Sequence, residues 1–197
     1  AAPPAHLSTY YVHAVSEGWC HPKFSFCILV YSNGYAFLSD YLRRIVERMV
    51  HIASEADMKK FGLKLGGLLR GSEVFELVGD VGAGKTTLVK GIGEGLVVDD
   101  DVQSPSFTLS RVYGARDGLE LHHYDLYRLQ DAGVLGYEFS ESVDDPKVVT
   151  IVEWAETLSD VLPAERAVIT ISYTPEGEGR TVAANIPNAY GHIKELF

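Results

Sequence analysis

Apolar positions along this chain fall into runs of two periods, and together the runs predict alternating strands and helices. Val74-Phe-Glu-Leu-Val78 is a short apolar run of strand length, and Leu88-Val-Lys-Gly-Ile92 continues a helix after it. Gly91, Gly93 and Gly95 are expected to end that helix. Upstream, Ser54-Glu-Ala-Asp57 has the form of a helix start with Ser54 as N-cap. Phe61, Leu65, Leu68 and Leu69 recur beyond it as a buried stripe, and Gly71 stops the helix. Residues 49–53 read either as a short strand or as the tail of a preceding helix, in which Leu42, Ile45, Val46 and Met49 share a face after Ser39 or Asp40 as cap. Residues 107–113 alternate like a strand, 114–118 form a turn, and 119–125 read as a second strand, which predicts an antiparallel hairpin. A helix is predicted over 132–139, leading into an acidic stretch at 141–145. Val148-Val-Thr-Ile-Val152 is continuously apolar and β-branched, the pattern of a strand buried on both faces, and it ends in Glu153-Trp154. Two further strands, 167–173 and 180–184, are joined by a turn at 175–179. This alternation is that of an α/β fold.

Between the first strand and its helix lies Gly79-Asp80-Val81-Gly82-Ala83-Gly84-Lys85-Thr86-Thr87. It fits G-x-x-x-x-G-K-[ST], the Walker A phosphate loop, in the strand–loop–helix context the motif requires. The glycines let the backbone turn successive N–H groups towards phosphate oxygens, and the positive end of the helix starting at Lys85 faces the same anion. Lys85 should reach the β- and γ-phosphates, and the Thr86 hydroxyl should ligate Mg²⁺. The fold expected is P-loop NTPase-like: a mainly parallel central sheet with antiparallel hairpin additions and helices on both faces. Such a loop needs an acidic partner at the end of a neighbouring strand. Glu153 closes the most hydrophobic strand, and Asp125 closes the strand from Leu119, so both are candidates. Taken alone, Asp125 and Arg128 read equally well as a helix cap or a surface ion pair, and Trp154 as a core residue. None of Asn33, Asn185 and Asn188 precedes a lysine, so the Asn-Lys-x-Asp guanine motif is absent and ATP is favoured over GTP.

Composition narrows the partners. The formal net charge is −10, which argues against tight, charge-driven nucleic-acid binding by this chain alone and routes any role with RNA through a partner. The only cysteines, Cys20 and Cys27, form no disulfide framework and no four-ligand zinc site, and so point to a reducing, cytoplasmic setting. No apolar run is long enough to span a bilayer. Asp99-Asp100-Asp101 reads as a solvated acidic loop, because the wider calcium-loop pattern is missing. Residues 1–48 differ from the rest. They are crowded with aromatics and lack a catalytic constellation. Residues 26–38 have the form of a small hairpin around Asn33-Gly34. His6, His13 and His21 lack ligand spacing. This segment is expected to be dispensable for nucleotide chemistry: an upstream region with Met49 as the true start, or a lineage-specific appendage. Residues 49–197 are expected to form the ATPase domain.

Four segments, in this order and spacing, resemble the TsaE (YjeE) family. They are residues 79–88 around the phosphate loop, Ser104-Pro-Ser-Phe-Thr108-Leu109, His123-Tyr-Asp125-Leu-Tyr127-Arg128-Leu129 and Val152-Glu153-Trp154-Ala-Glu156. The resemblance covers about residues 50–186. It implies a small bacterial ATPase required for threonylcarbamoyladenosine formation in tRNA, working with TsaD, which transfers the threonylcarbamoyl group, and TsaB, its structural partner. It further implies that residues 79–87 bind the phosphates, that Thr86 and Glu153 hold Mg²⁺, and that Asp125 lies at the γ-phosphate. Ser104 to Thr108 would be a switch-like segment, and Glu55 and Arg180 would line the nucleotide site beside Trp154. Ser106 stands where the family usually has Thr, and residues 1–48 have no counterpart in the family pattern. Two readings from other classes compete: a P-loop small-molecule kinase, for which no arginine-rich lid segment is present, and a nucleotide-gated binding module with negligible catalysis.

Overall fold

The apolar run at 74–78 forms strand β2 (Val74–Val78) at the centre of the sheet, flanked by the two strands that bury it. The structure is a computed structural model describing residues 49–105, 108–127, 129, 135–158, 160–175 and 177–197. The readings made on residues 1–48, on Ser106 and on Arg128 lie outside these residues. The remaining strands are β1 (Met49–Ile52), β3 (Ser110–Gly114), β4 (Glu120–Asp125), β5 (Val148–Glu153), β6 (Ala167–Tyr173) and β7 (Arg180–Asn185). Among the described residues they form one seven-stranded sheet in the order β1-β7-β6-β2-β5-β4-β3. The inner strands β6, β2, β5 and β4 pair in parallel, while β3 at one side and β7 and β1 at the other pair antiparallel. Residues 49–53 therefore resolve in favour of the strand. β5 is paired on both edges and buried at every position, which is why its sequence shows no alternation.

Among the described residues three α-helices cover the two faces. Helices α1 (Glu55–Leu68) and α2 (Lys85–Leu96) pack over Leu77, Leu121, Ile151 and Ile169, while α3 (Leu135–Asp144) covers Tyr124 and Val152 on the other side through Phe139. Ser54 caps α1 as expected, its hydroxyl accepting from the Asp57 amide at 3.1 Å. Leu68 departs from the expected stripe, being 41% exposed, whereas Leu69 is buried. The reason lies in Gly62 and Gly66. α1 presents them to α2, which turns the buried face towards 69 and away from 68.

The same close approach corrects the expected end of α2. The helix runs through Gly91, Gly93 and Gly95 to Leu96, and Val97 caps it with φ of 56°. A β-carbon at Gly62 would lie 2.5 Å from the Leu88 carbonyl oxygen, and one at Gly95 only 2.2 Å from that of Leu63. Glycine costs an isolated helix roughly 1 kcal/mol per residue relative to alanine, but here it is what lets the two backbones touch. The helix predicted over 132–139 is found at Leu135–Asp144 and so runs past its expected end, while residues 131–134 lie outside the described set. The acidic stretch forms its last turns because Phe139 and Ser142 face the sheet while Glu141 and Asp144 face solvent. The strand expected from residue 107 begins at Ser110, since Leu109 has φ of 66° and cannot continue an extended ladder.

A C-terminal 3-10 segment, Asn188–Leu196, closes the start of β2. The buried Tyr190 hydroxyl accepts from the Val74 amide at 3.0 Å and donates to the Ser72 carbonyl at 3.2 Å. Burial pushes its phenol above the ordinary value, so it stays neutral and serves both partners. Beside it the buried Glu73 accepts from the Arg70 and Gly71 amides and from His192.

Candidate nucleotide site

The parallel strands β2, β5 and β4 all end at the same edge of the sheet, where open α/β folds place their ligands. β2 delivers the chain into the glycine-rich loop 79–84, and α2 starts at Lys85. Gly84 is the N-cap of α2 with φ of 108°, a conformation a side chain would resist. Gly79 sits where a β-carbon would lie 2.6 Å from the Ile171 carbonyl oxygen. The loop's outer carbonyls are held from β6 and β7. Arg180 donates to Ala83 O at 3.1 Å and to Gly82 O at 3.5 Å, and Tyr173 donates its hydroxyl to Val81 O at 3.3 Å. The Arg180 guanidinium in turn stacks 3.9 Å above the Tyr173 ring.

Lys85 is buried, with its ammonium donating to Gly79 O at 2.8 Å and Asp80 O at 3.1 Å and lying 4.1 Å from the centroid of the Trp154 ring. Trp154 leaves β5 with φ of 59°, a strained conformation for a bulky residue, and its ring also packs on Tyr127 at 5.0 Å. Thr86, one residue into α2, donates its hydroxyl to Glu153 Oε1 at 3.2 Å. Parallel pairing sets Asp125 directly opposite Glu153, so the two carboxylates close adjacent strands side by side. Both are buried. Asp125 accepts from the Ser104 hydroxyl at 2.9 Å and from the Tyr127 amide at 3.2 Å, while its own amide donates to Leu109 O at 3.0 Å. Segment 104–109 is thereby tied to Asp125 at both ends.

Other residues singled out in the sequence are placed less centrally. The exposed Thr108 turns its hydroxyl to the Ser110 carbonyl at 3.1 Å. Glu55 and Arg180 line a cleft of about 240 Å³ floored by Gly82, Ala83, Gly84 and Thr87, with Ile52 and Met58 as its apolar wall. Sequence reasoning assigned no role to His123, whose ring nitrogen Nε2 lies 3.0 Å from Glu153 Oε1, or to Tyr173 behind the loop. The first had a signal available, since His123 and Asp125 alternate onto one face of one strand. The second had none.

Among the described residues no cluster of three or more His, Cys, Asp or Glu side chains could cage a metal. A Mg²⁺ bound through one or two protein oxygens, phosphates and water needs no such cage. A threonine hydroxyl beside a buried carboxylate is a hard-oxygen donor set that fits this ion. No helix among the described residues is long and apolar enough to cross a membrane.

Residues 52–182 match the family model described as threonylcarbamoyl adenosine biosynthesis protein TsaE. The chain belongs to the TsaE family. The match runs from the last residue of β1 into the first half of β7, leaving the C-terminal 3-10 segment outside. Its relatives include the tRNA threonylcarbamoyladenosine biosynthesis protein TsaE of Bacillus subtilis, 37% identical over 128 residues, which are 62% of this chain and 76% of that one. The protein of the same name from Nostoc is 34% identical over 131 residues, 65% of this chain and 80% of its own. That from Aquifex aeolicus is 40% identical over 109 residues, 54% and 76%. The crystal structure of Bacillus subtilis YdiB superposes with a TM-score of 0.61 at 30% identity, covering 75% of this chain and 92% of that one. The TsaE family is one of tRNA threonylcarbamoyladenosine biosynthesis, and the P-loop NTPase-like fold expected from the motif is the fold found.

Proposed function

We propose that this TsaE-family chain is a Mg²⁺-dependent, slow ATPase. In this reading it supports threonylcarbamoyladenosine modification of tRNA in the cytoplasm together with TsaD and TsaB, touching the RNA only through that assembly. The observation that carries the reading is the Thr86 hydroxyl lying 3.2 Å from Glu153, with Asp125 paired beside it, under a phosphate loop. The loop amides and the start of α2 would cradle the phosphates, and Lys85 would exchange its carbonyl partners for phosphate oxygens. Thr86 and Glu153 would hold Mg²⁺, which when bound neutralises charge on the phosphate oxygens. Asp125, fixed by Ser104 and the Tyr127 amide, would orient a water on the γ-phosphorus. Its attack breaks the bond to the β-phosphate oxygen and yields ADP and inorganic phosphate. Glu55 and Arg180, in the cleft beside Gly84, would border the nucleoside, and ATP is the nucleotide expected because the guanine motif is absent.

The two carboxylates can be separated experimentally. ATP titrations with and without Mg²⁺ should show that Glu153→Ala loses most of the Mg²⁺-dependent gain in affinity. Asp125→Ala should keep more of that binding and lose hydrolysis, by on the order of 10²-fold or more. The opposite pattern would reverse the roles, and no Mg²⁺ dependence in the wild type would remove the metal from the account.

A further inference from the structure

We propose that His123 is a positioning residue for the metal ligand: its ring N–H holds the Glu153 carboxylate in the orientation in which Glu153 and Thr86 together receive Mg²⁺. The inference rests on the Mg–ATP reading above and gives a role to a side chain which that reading leaves unused.

Three observations carry it. First, the register of β4 on β5 aligns His123 with Ile151 and Asp125 with Glu153, so all four side chains emerge on one face. The imidazole reaches diagonally to the next rung, Nε2 lying 3.0 Å from Glu153 Oε1. A carboxylate oxygen can only accept, so the proton is on Nε2. Second, the Thr86 hydroxyl donates to that same oxygen at 3.2 Å, and the Leu126 amide donates to the Glu153 carbonyl at 3.1 Å. Two donors on one oxygen remove the rotational freedom a glutamate would otherwise have at the end of a strand. Third, the histidine is fully buried and its other nitrogen, Nδ1, has no hydrogen-bond partner among the described residues. A buried polar atom without a protein partner carries a penalty that an aliphatic side chain would avoid. Space-filling therefore does not account for a histidine here, whereas its one strong contact does. Partners behind metal ligands fix ligand geometry in this way, and their loss typically weakens metal affinity about 10–100-fold.

The test uses the full 197-residue chain, ATP and MgCl₂. The Mg²⁺ concentration that half-restores ATP affinity is measured calorimetrically for the wild type, His123→Gln, His123→Asn and Glu153→Ala, with a melting curve for each. A glutamine amide extends to where Nε2 stands, while an asparagine amide stops near Nδ1. His123→Asn is expected to raise the half-restoring Mg²⁺ concentration about 10–100-fold, with metal-free ATP affinity unchanged, and His123→Gln to recover most of the loss. A wild-type Mg²⁺ response in His123→Asn would overturn the proposal. So would equal losses in Asn and Gln that simply follow the melting temperature, since that marks a packing role. If Glu153→Ala loses the Mg²⁺ response while His123→Asn keeps it, only the role of His123 falls. If Glu153→Ala keeps the response, the metal assignment falls and takes this inference with it.

Discussion

At the scale of single residues, Lys85 shows how the loop stores a buried cation without a phosphate. Among the partners of its ammonium are two loop carbonyls and the face of Trp154, groups that offer partial negative charge. A phosphate would offer full charge to the same nitrogen. Lys85→Ala should therefore weaken ATP affinity and lower turnover by on the order of 10²-fold or more. A turnover assay beside a melting curve checks this, and wild-type turnover by the folded variant would contradict it. The sequence made much of this scale legible, because a glycine-rich spacing states its own local geometry. Lys85 opens α2, and Glu153 and Asp125 close their strands, as the patterns indicated. His123 was legible only as sharing a strand face with Asp125, because the partner it contacts lies thirty residues away in sequence.

At the scale of elements, α2 carries both the phosphate-loop lysine and the glycine face that docks it on α1. Gly95→Ala adds a methyl 2.2 Å from the Leu63 carbonyl oxygen, a contact that only movement of backbone can relieve. Overpacking of this kind costs about 1–3 kcal/mol, against roughly 1 kcal/mol gained in helix propensity. Clash is expected to win, lowering the melting temperature by several degrees and weakening ATP binding as α2 shifts at its Lys85 end. A variant more stable than the wild type would show that the interface yields easily. The same interface explains where pattern reading failed. Glycine read as a helix stop because propensity is local, while the reason for Gly91 and Gly95 is a neighbouring backbone that periodicity does not reveal. Leu68 was misassigned for the same cause. By contrast β2 and β5 were plain, since strands buried between parallel neighbours need little beyond an apolar run between turns.

At the scale of the whole molecule, the topology gathers the site by ending β2, β5 and β4 at one edge. The hairpin of β6 and β7 adds Tyr173 and Arg180 behind the loop. The C-terminal segment was invisible to pattern reading: it is held by Tyr190 and Ile193 buried in the core, by Phe197 packed edge-on to Phe61, and by a tyrosine hydroxyl and a histidine reaching the start of β2. Net charge acts at this scale as well. A chain at −10 gains little from phosphate-backbone contacts, so under the proposed function RNA work is expected to pass through partners. The measurement that bears most directly on this account is ATP hydrolysis by the full chain, alone and mixed with TsaD and TsaB, with Asp125→Ala assayed in parallel. The account predicts slow turnover alone, a clear rise when both partners are present, and loss of that rise in Asp125→Ala. Fast turnover without partners, or a partner-stimulated rate that survives in the folded Asp125→Ala variant, would contradict it.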